Sequence, residues 1–190
     1  MWPWGHLAFA YLCLLLVSRI SERVTQSVGV VVALVVGSQF PDLVDKPLAW
    51  SVTVLPSGRS LAHSLLTAAV VLYILSRLSA RYDRQDLVAS FGVGWVSHSL
   101  SDLGPGVIIG LLRGDMSQIQ WTTYLLWPVL ESPPYPNDDS FAVHFSELQM
   151  TPYVTAQFLL LGLAVGLWFV SGAESARTVR VWLRSNIQRF

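Results

Sequence analysis

The chain has 190 residues, of which 53% are hydrophobic and only 13% charged, with eight Trp. Soluble domains carry about 25% charged residues, so half that share cannot cover a water-facing surface, and the composition points to a bilayer. Twelve basic and twelve acidic residues cancel, which removes the basic field that a nucleic-acid partner requires. The single cysteine, Cys13, excludes an internal disulfide framework and a thiolate metal cluster.

Spans are located by stretches free of charge, because an ionised side chain at bilayer depth is costly and a crossing needs roughly 17 to 25 mostly apolar residues. Five are predicted, giving an all-α integral membrane bundle in a single domain over 1–190. The first, 4–17, is short and has no Lys or Arg before it, so it reads as a retained helix and not as a cleavable leader. The second, 24–40, contains VGVVVALVVG and is expected to end at Pro41. The third covers 61–78. The fourth covers 87–103 and stops at the Gly104-Pro105-Gly106 breaker. A mixed outer region, 104–152, follows; its WTTYLLWPVL stretch has interfacial character. The fifth span is 153–170, and a basic tail fills 171–190.

Basic residues near span ends favour the cytoplasm. One side carries nine of the twelve: Arg19, Arg23, Arg77, Arg81, Arg84, Arg177, Arg180, Arg184 and Arg189. The other has Lys46, Arg59 and Arg113 against eight acidic residues, so neutrality is the sum of +5 inside and −5 outside. The N-terminus is therefore expected outside and the C-terminal tail in the cytoplasm.

The unusual polar residues gather at the outer boundary. His6 precedes the first span, Asp42 and Asp45 follow the second, Arg59 and His63 open the third, and His98 and Asp102 close the fourth. His144 and Glu147 lie before the fifth. His98 and Asp102, four apart on a helix, share a face and are able to reach one cation. Asp42 and Asp45 are expected in a turn, where they repel unless a cation or Arg59 lies between them. Singly, each has a plain structural reading: a hydrogen-bonded histidine, a helix cap, a headgroup anchor at Arg59, or hydroxyls at Ser64 and Ser99 that satisfy their own backbone. Asp102 resists that reading, since a helix C-terminus opposes a negative charge. Four histidines and three aspartates converging on one boundary favour a metal site over a structural network. Imidazole with carboxylate suits zinc, manganese or iron.

The succession GHLAFAYL, GSQFPDLVD, GRSLAHSLL and GWVSHSLSDL resembles the YdjM-like membrane-bound metal-dependent hydrolases, over roughly residues 5–105 and again at LLWPVL. A more distant likeness is to the all-helical zinc-dependent phospholipases C and single-strand nucleases. The resemblance implies that His6, Asp42, His63, His98 and Asp102 are metal ligands, with His144 and Glu147 a further pair. This chain has fewer histidines than the soluble relatives, which implies one or two ions, zinc first.

The function expected from these residues is metal-assisted hydrolysis of an ester, a phosphoester or phospholipid headgroup at the extracytoplasmic face. A metal-activated water would attack, Asp45 would serve as base or bridging ligand, and Arg59 would hold the phosphate. Membrane lipid is then both environment and candidate substrate. Three rivals stand beside it. One is a small ion or proton-coupled transporter or channel subunit using the same cluster, although the polar groups sit at one boundary and not at the midplane. Another is a serine hydrolase using Ser64 or Ser99, for which each serine would need a histidine from another helix because adjacent residues point about 100° apart. The last is a scaffold without chemistry.

Overall fold

A computed structural model describes residues 1–21, 27–135, 140–146 and 148–171. Among these, 75% are helical and none is in a strand, which establishes the all-α membrane bundle. The helices are α1 (Pro3–Ile20), α2 (Val28–Trp50), α3 (Leu65–Ser79), α4 (Gln85–Ser101), α5 (Gly104–Leu112), α6 (Phe141–Ser146) and α7 (Pro152–Val170). Short 3-10 segments cover Ala80–Tyr82 and Met116–Leu126. Starts are set by local chemistry. Ser27, Ser64 and Thr151 cap α2, α3 and α7 by accepting from backbone N–H groups, and Pro3 and Pro152 occupy first-turn positions whose missing N–H costs nothing.

Four helices are long and apolar enough to cross a bilayer: Pro3–Ile20, Val28–Trp50, Leu65–Tyr82 and Pro152–Val170. Their outer faces show Val32, Val36, Val70, Ile74, Leu159 and Leu163, while Ser38, Asp45, Ser60, His63, Ser90 and His98 are buried. Apolar outside and polar inside is the pattern of a protein solvated by lipid. The remaining expected span is α4, with 17 residues. It is the central helix and packs on α1, α2 and α3. Because α4 is shielded by protein, it buries Ser90, Gly92, Gly94, Ser97, His98 and Ser99 where a lipid-facing helix would carry Leu or Val.

The α2–α4 crossing is close. A Cβ at Gly94 would lie 2.5 Å from the Leu34 carbonyl oxygen and 2.7 Å from the Ser38 nitrogen, and one at Gly37 would overlap the Phe91 carbonyl. Ser90 Oγ donates to the Val30 carbonyl across the same seam (2.7 Å). Small residues thus let the two backbones approach.

Three expectations change. Pro41 does not end α2, which runs on through Pro41 and Pro47 to Trp50; a proline removes one intrahelical bond, and the turn beyond it can still form. Asp42 and Asp45 consequently lie on a helix and neither is a cap. The third helix begins at Leu65, later than expected, because Ser64 is its cap and His63 stands in the preceding turn. Finally, WTTYLLWPVL contributes to the 3-10 segment and turns one ring into the core, while Leu126, Val129 and Leu130 stay exposed. Tyr124 is fully buried and donates to the Ser99 carbonyl (2.7 Å), and the Trp127 carbonyl accepts from Ser64 Oγ (2.6 Å). The short α6 lies across the N-terminal end of α1 and the C-terminal end of α2, with Phe141 edge-on to Trp50 (4.8 Å between rings) and Phe145 against Trp2 (5.9 Å).

Candidate metal centre

Three elements deliver the site. Asp42 and Asp45 come from the C-terminal half of α2, Arg59 and His63 from the 51–64 connection, His98 from the last turn of α4, and Asp102 from the C-cap of that helix.

Asp45 is fully buried. Its Oδ1 accepts from the Ala62 N–H (2.8 Å), and its Oδ2 accepts from the N–H groups of Ser60 (2.8 Å) and His63 (3.1 Å). The same Oδ2 accepts from His63 Nδ1 (2.8 Å). One carboxylate therefore folds the 59–63 turn around itself and fixes the His63 ring, with Nδ1 donating to Asp45 and Nε2 turned toward the other site residues. On α4, His98 Nδ1 donates to the Ser38 carbonyl (2.6 Å). A carbonyl only accepts, so His98 has the same tautomer. The α2–α4 approach at Gly94 brings that carbonyl within reach.

The two Nε2 atoms then meet at 3.2 Å. Asp42 Oδ1 lies 3.6 Å from His63 Nε2 and 3.7 Å from His98 Nε2, and it is buried without a hydrogen-bond partner. Asp102 Oδ2 is 3.4 Å from His63 Nε2. One donor atom from each of Asp42, His63, His98 and Asp102 falls within 4.8 Å of the others, and this group can hold a metal ion. Bonds of roughly 2.0–2.1 Å in a tetrahedron place neighbouring donors about 3.3–3.4 Å apart. The spacings of the two Nε2 atoms and of Asp42 Oδ1 are close to that edge, and the orphaned Asp42 oxygen is the group a cation would satisfy. The donor chemistry fits a divalent ion.

Asp102 resolves the problem of a carboxylate at a helix C-terminus through neighbours. Its Oδ2 accepts from Arg59 Nε (2.7 Å). Its Oδ1 lies 2.6 Å from the Met1 amino nitrogen and 3.1 Å from His6 Nε2. Arg59 is paired with Asp102 and stacked over Tyr135 (4.3 Å), not set between the two α2 aspartates as expected. Burial disfavours the Arg59 charge, and Asp102 more than offsets it, raising the Arg59 pKa. The neighbour of Asp42 is Lys46, whose Nζ donates to Oδ2 (2.7 Å). Spacing of four on the extended α2 makes that pair, which the expected turn at Pro41 concealed.

His6 stands outside the four-residue group. Its Nε2 faces only acceptors, Asp102 Oδ1 and the Met1 carbonyl (3.1 Å), so that nitrogen carries the proton. Its Nδ1 meets Ser101 Oγ at 2.9 Å, and its ring stacks on His98 at 3.6 Å. His6 thereby touches both Asp102 and His98 at the edge of the four-residue group. The His144 side chain and Glu147 lie outside the described residues. Ser64 is committed as the α3 cap and as donor to Trp127.

A sequence profile of the YdjM inner membrane protein family matches residues 1–184. The chain belongs to that family. No curated protein and no solved structure matches it. As a YdjM-family member it is an inner membrane protein, and the profile extends past the motif-bearing helices to include α7 and most of the basic tail. In this YdjM-family chain the motif residues of α2, the 51–64 turn and α4 are the ones that meet. The ring contact of His6 with His98 joins the earliest motif to the group from α1.

Proposed function

We propose that this YdjM-family protein is a metal-dependent hydrolase of a phosphoester, with a phospholipid headgroup at the extracytoplasmic face as substrate and zinc as the ion. The observation that carries the reading is the convergence of two Nε2 atoms at 3.2 Å beside an unpartnered Asp42 oxygen. His63, His98 and Asp42, with Asp102, would hold the ion. When bound, a divalent ion supplies Lewis acidity to a phosphoryl oxygen and acidity to water. The rest is done by side chains of this chain. Asp45 fixes the tautomer of His63, making it a positioning residue in place of the base expected from sequence. Arg59 keeps Asp102 ionised through Nε, and its remaining N–H groups suit two phosphate oxygens. Lys46 adds a second positive charge next to Asp42.

The basic residues support the orientation with α1 beginning outside and the tail in the cytoplasm, which puts the site at headgroup level. The test uses purified protein in phosphatidylglycerol vesicles. We expect stoichiometric zinc by elemental analysis, release of a phosphorylated headgroup, arrest by chelation and recovery on added zinc. Absence of any transition metal, with melting unchanged by chelation, overturns the reading.

A further inference from the structure

A phospholipid whose headgroup sits at the metal centre needs a place for its acyl chains. His63 and His98 have no exposed side-chain surface and Asp102 has 3%, whereas Asp42 has 12%. The group is approached past Asp42. On that side lies a cavity of about 310 Å³ between the outer ends of α1 and α2, with Trp2, Leu43 and Lys46 on its wall and Phe141 and Phe145 of α6 over it. A second cavity, of about 190 Å³, lies further along the same two helices. It is lined by Leu7 and Tyr11 of α1, Val31 and Val35 of α2, and Leu161 and Trp168 of α7.

The two cavities adjoin along one turn of each helix. Val35 and Leu7 line the lower one, and Gln39 and Pro3, four positions away on α2 and α1, line the upper one. From Leu43 to Val31 the seam measures about 18 Å at 1.5 Å per residue. One leaflet of a hydrocarbon core about 30 Å thick is roughly 15 Å deep. The charges sit at one end only, where Lys46 and Asp42 border the upper cavity. The lower cavity has no charged wall residue and opens at a depth where acyl chains are the solvent.

We infer that the α1–α2 seam is the acyl-chain subsite of a phospholipid whose headgroup reaches the metal centre past Asp42. The inference rests on the hydrolase reading and names its substrate as a lipid held by its chain, not a free phosphoester. Lys46 is the group at the junction that selects an anionic headgroup.

The experiment reconstitutes the full chain in vesicles of phosphatidylglycerol containing a fraction with a diazirine in one acyl chain. Adducts are mapped by mass spectrometry after illumination, with metal content measured on the same sample. We expect adducts concentrated on residues 3–11 and 31–43. Val35→Trp is expected to fill the lower cavity and cut that labelling at least about fivefold with metal retained. Leu161→Trp fills it from the α7 wall and serves if Val35→Trp does not fold; Val70→Trp, on the lipid-facing side of α3, should leave labelling unchanged. Labelling of the seam no greater than that of the exposed face of α3, or indifference to both filling variants, overturns the subsite whatever the metal content. Seam labelling in a protein that binds no metal overturns the hydrolase reading and reduces the seam to a structural lipid site, which also overturns the substrate role.

Discussion

His63 and His98 face each other through Nε2 atoms 3.2 Å apart, each ring locked by an acceptor at its other nitrogen. Two imidazole nitrogens at that distance repel unless a cation or a proton lies between them. Chelation is therefore expected to lower the melting temperature, and restoring free ion to 100 times Kd should return about 2.7 kcal/mol. His98→Ala should lose both the ion and this response. Scanning fluorimetry with and without chelator, beside elemental analysis, measures it; equal melting in both conditions would count against an ion at this place.

Asp45 and His63 form a carboxylate–imidazole pair behind the donor set. Replacing Asp45 by Ala should weaken metal binding by about 10–100-fold without abolishing it. Activity lost at trace zinc should then recover in excess zinc. Titration of activity against free zinc separates this from a base, whose loss no added metal would repair.

Arg59 bridges Asp102 and the open side of the site. Arg59→Lys keeps the charge and gives up the planar fork, so phosphoester turnover should fall by about 10²-fold while metal content stays near the wild-type value. Steady-state rates on phosphatidylglycerol vesicles, paired with metal analysis, decide it. Loss of metal in Arg59→Lys would show that Arg59 acts through Asp102 alone.

The Gly94 contact with α2 makes a sharper test of architecture. Gly94→Ala should destabilise the protein by about 1–3 kcal/mol and weaken metal binding, because it pushes the Ser38 carbonyl away from His98. Gly162 on α7 meets nothing within 4 Å of an added Cβ, so Gly162→Ala should leave both properties unchanged. Thermal melts of the two variants give the comparison.

Sidedness has its own readout. In a Cys13→Ala background, Thr53→Cys in the 51–64 connection should react with a membrane-impermeant thiol reagent in intact spheroplasts. Asp83→Cys, between α3 and α4, should react only after lysis. The reverse pattern would put the site in the cytoplasm.

Much of this site was legible because its residues sit at helix ends in fixed spacings: His98 with Asp102, and Asp42 ahead of His63. What the spacing did not reveal was division of labour. Asp42 and Asp45 look alike in sequence, yet one faces the imidazoles with an unpartnered oxygen and the other is saturated by the 59–63 turn, a distinction made by chain geometry 15 to 18 residues away. His6 shared the boundary and the residue type, but its tautomer is set by Asp102 and the Met1 carbonyl. The Lys46–Asp42 pair is hidden in the sequence because Pro41 reads as a helix end, and the i,i+4 pair exists only if α2 continues. The spans were readable from apolarity wherever a helix faces lipid, and least distinct at α4, which does not.

The placement of α4 has a consequence for biogenesis. A segment carrying His98 and five buried Ser or Gly residues gains little from partitioning into lipid alone. Its retention in the membrane depends on α1, α2 and α3 being there to receive it. The donor set then comes together only when α4 docks, so on the proposed reading ion capture would mark the completion of assembly. Substitutions far from the site, along the faces that α1 and α2 turn toward α4, should surface first as poor insertion and proteolytic loss, before any change in chemistry is measurable.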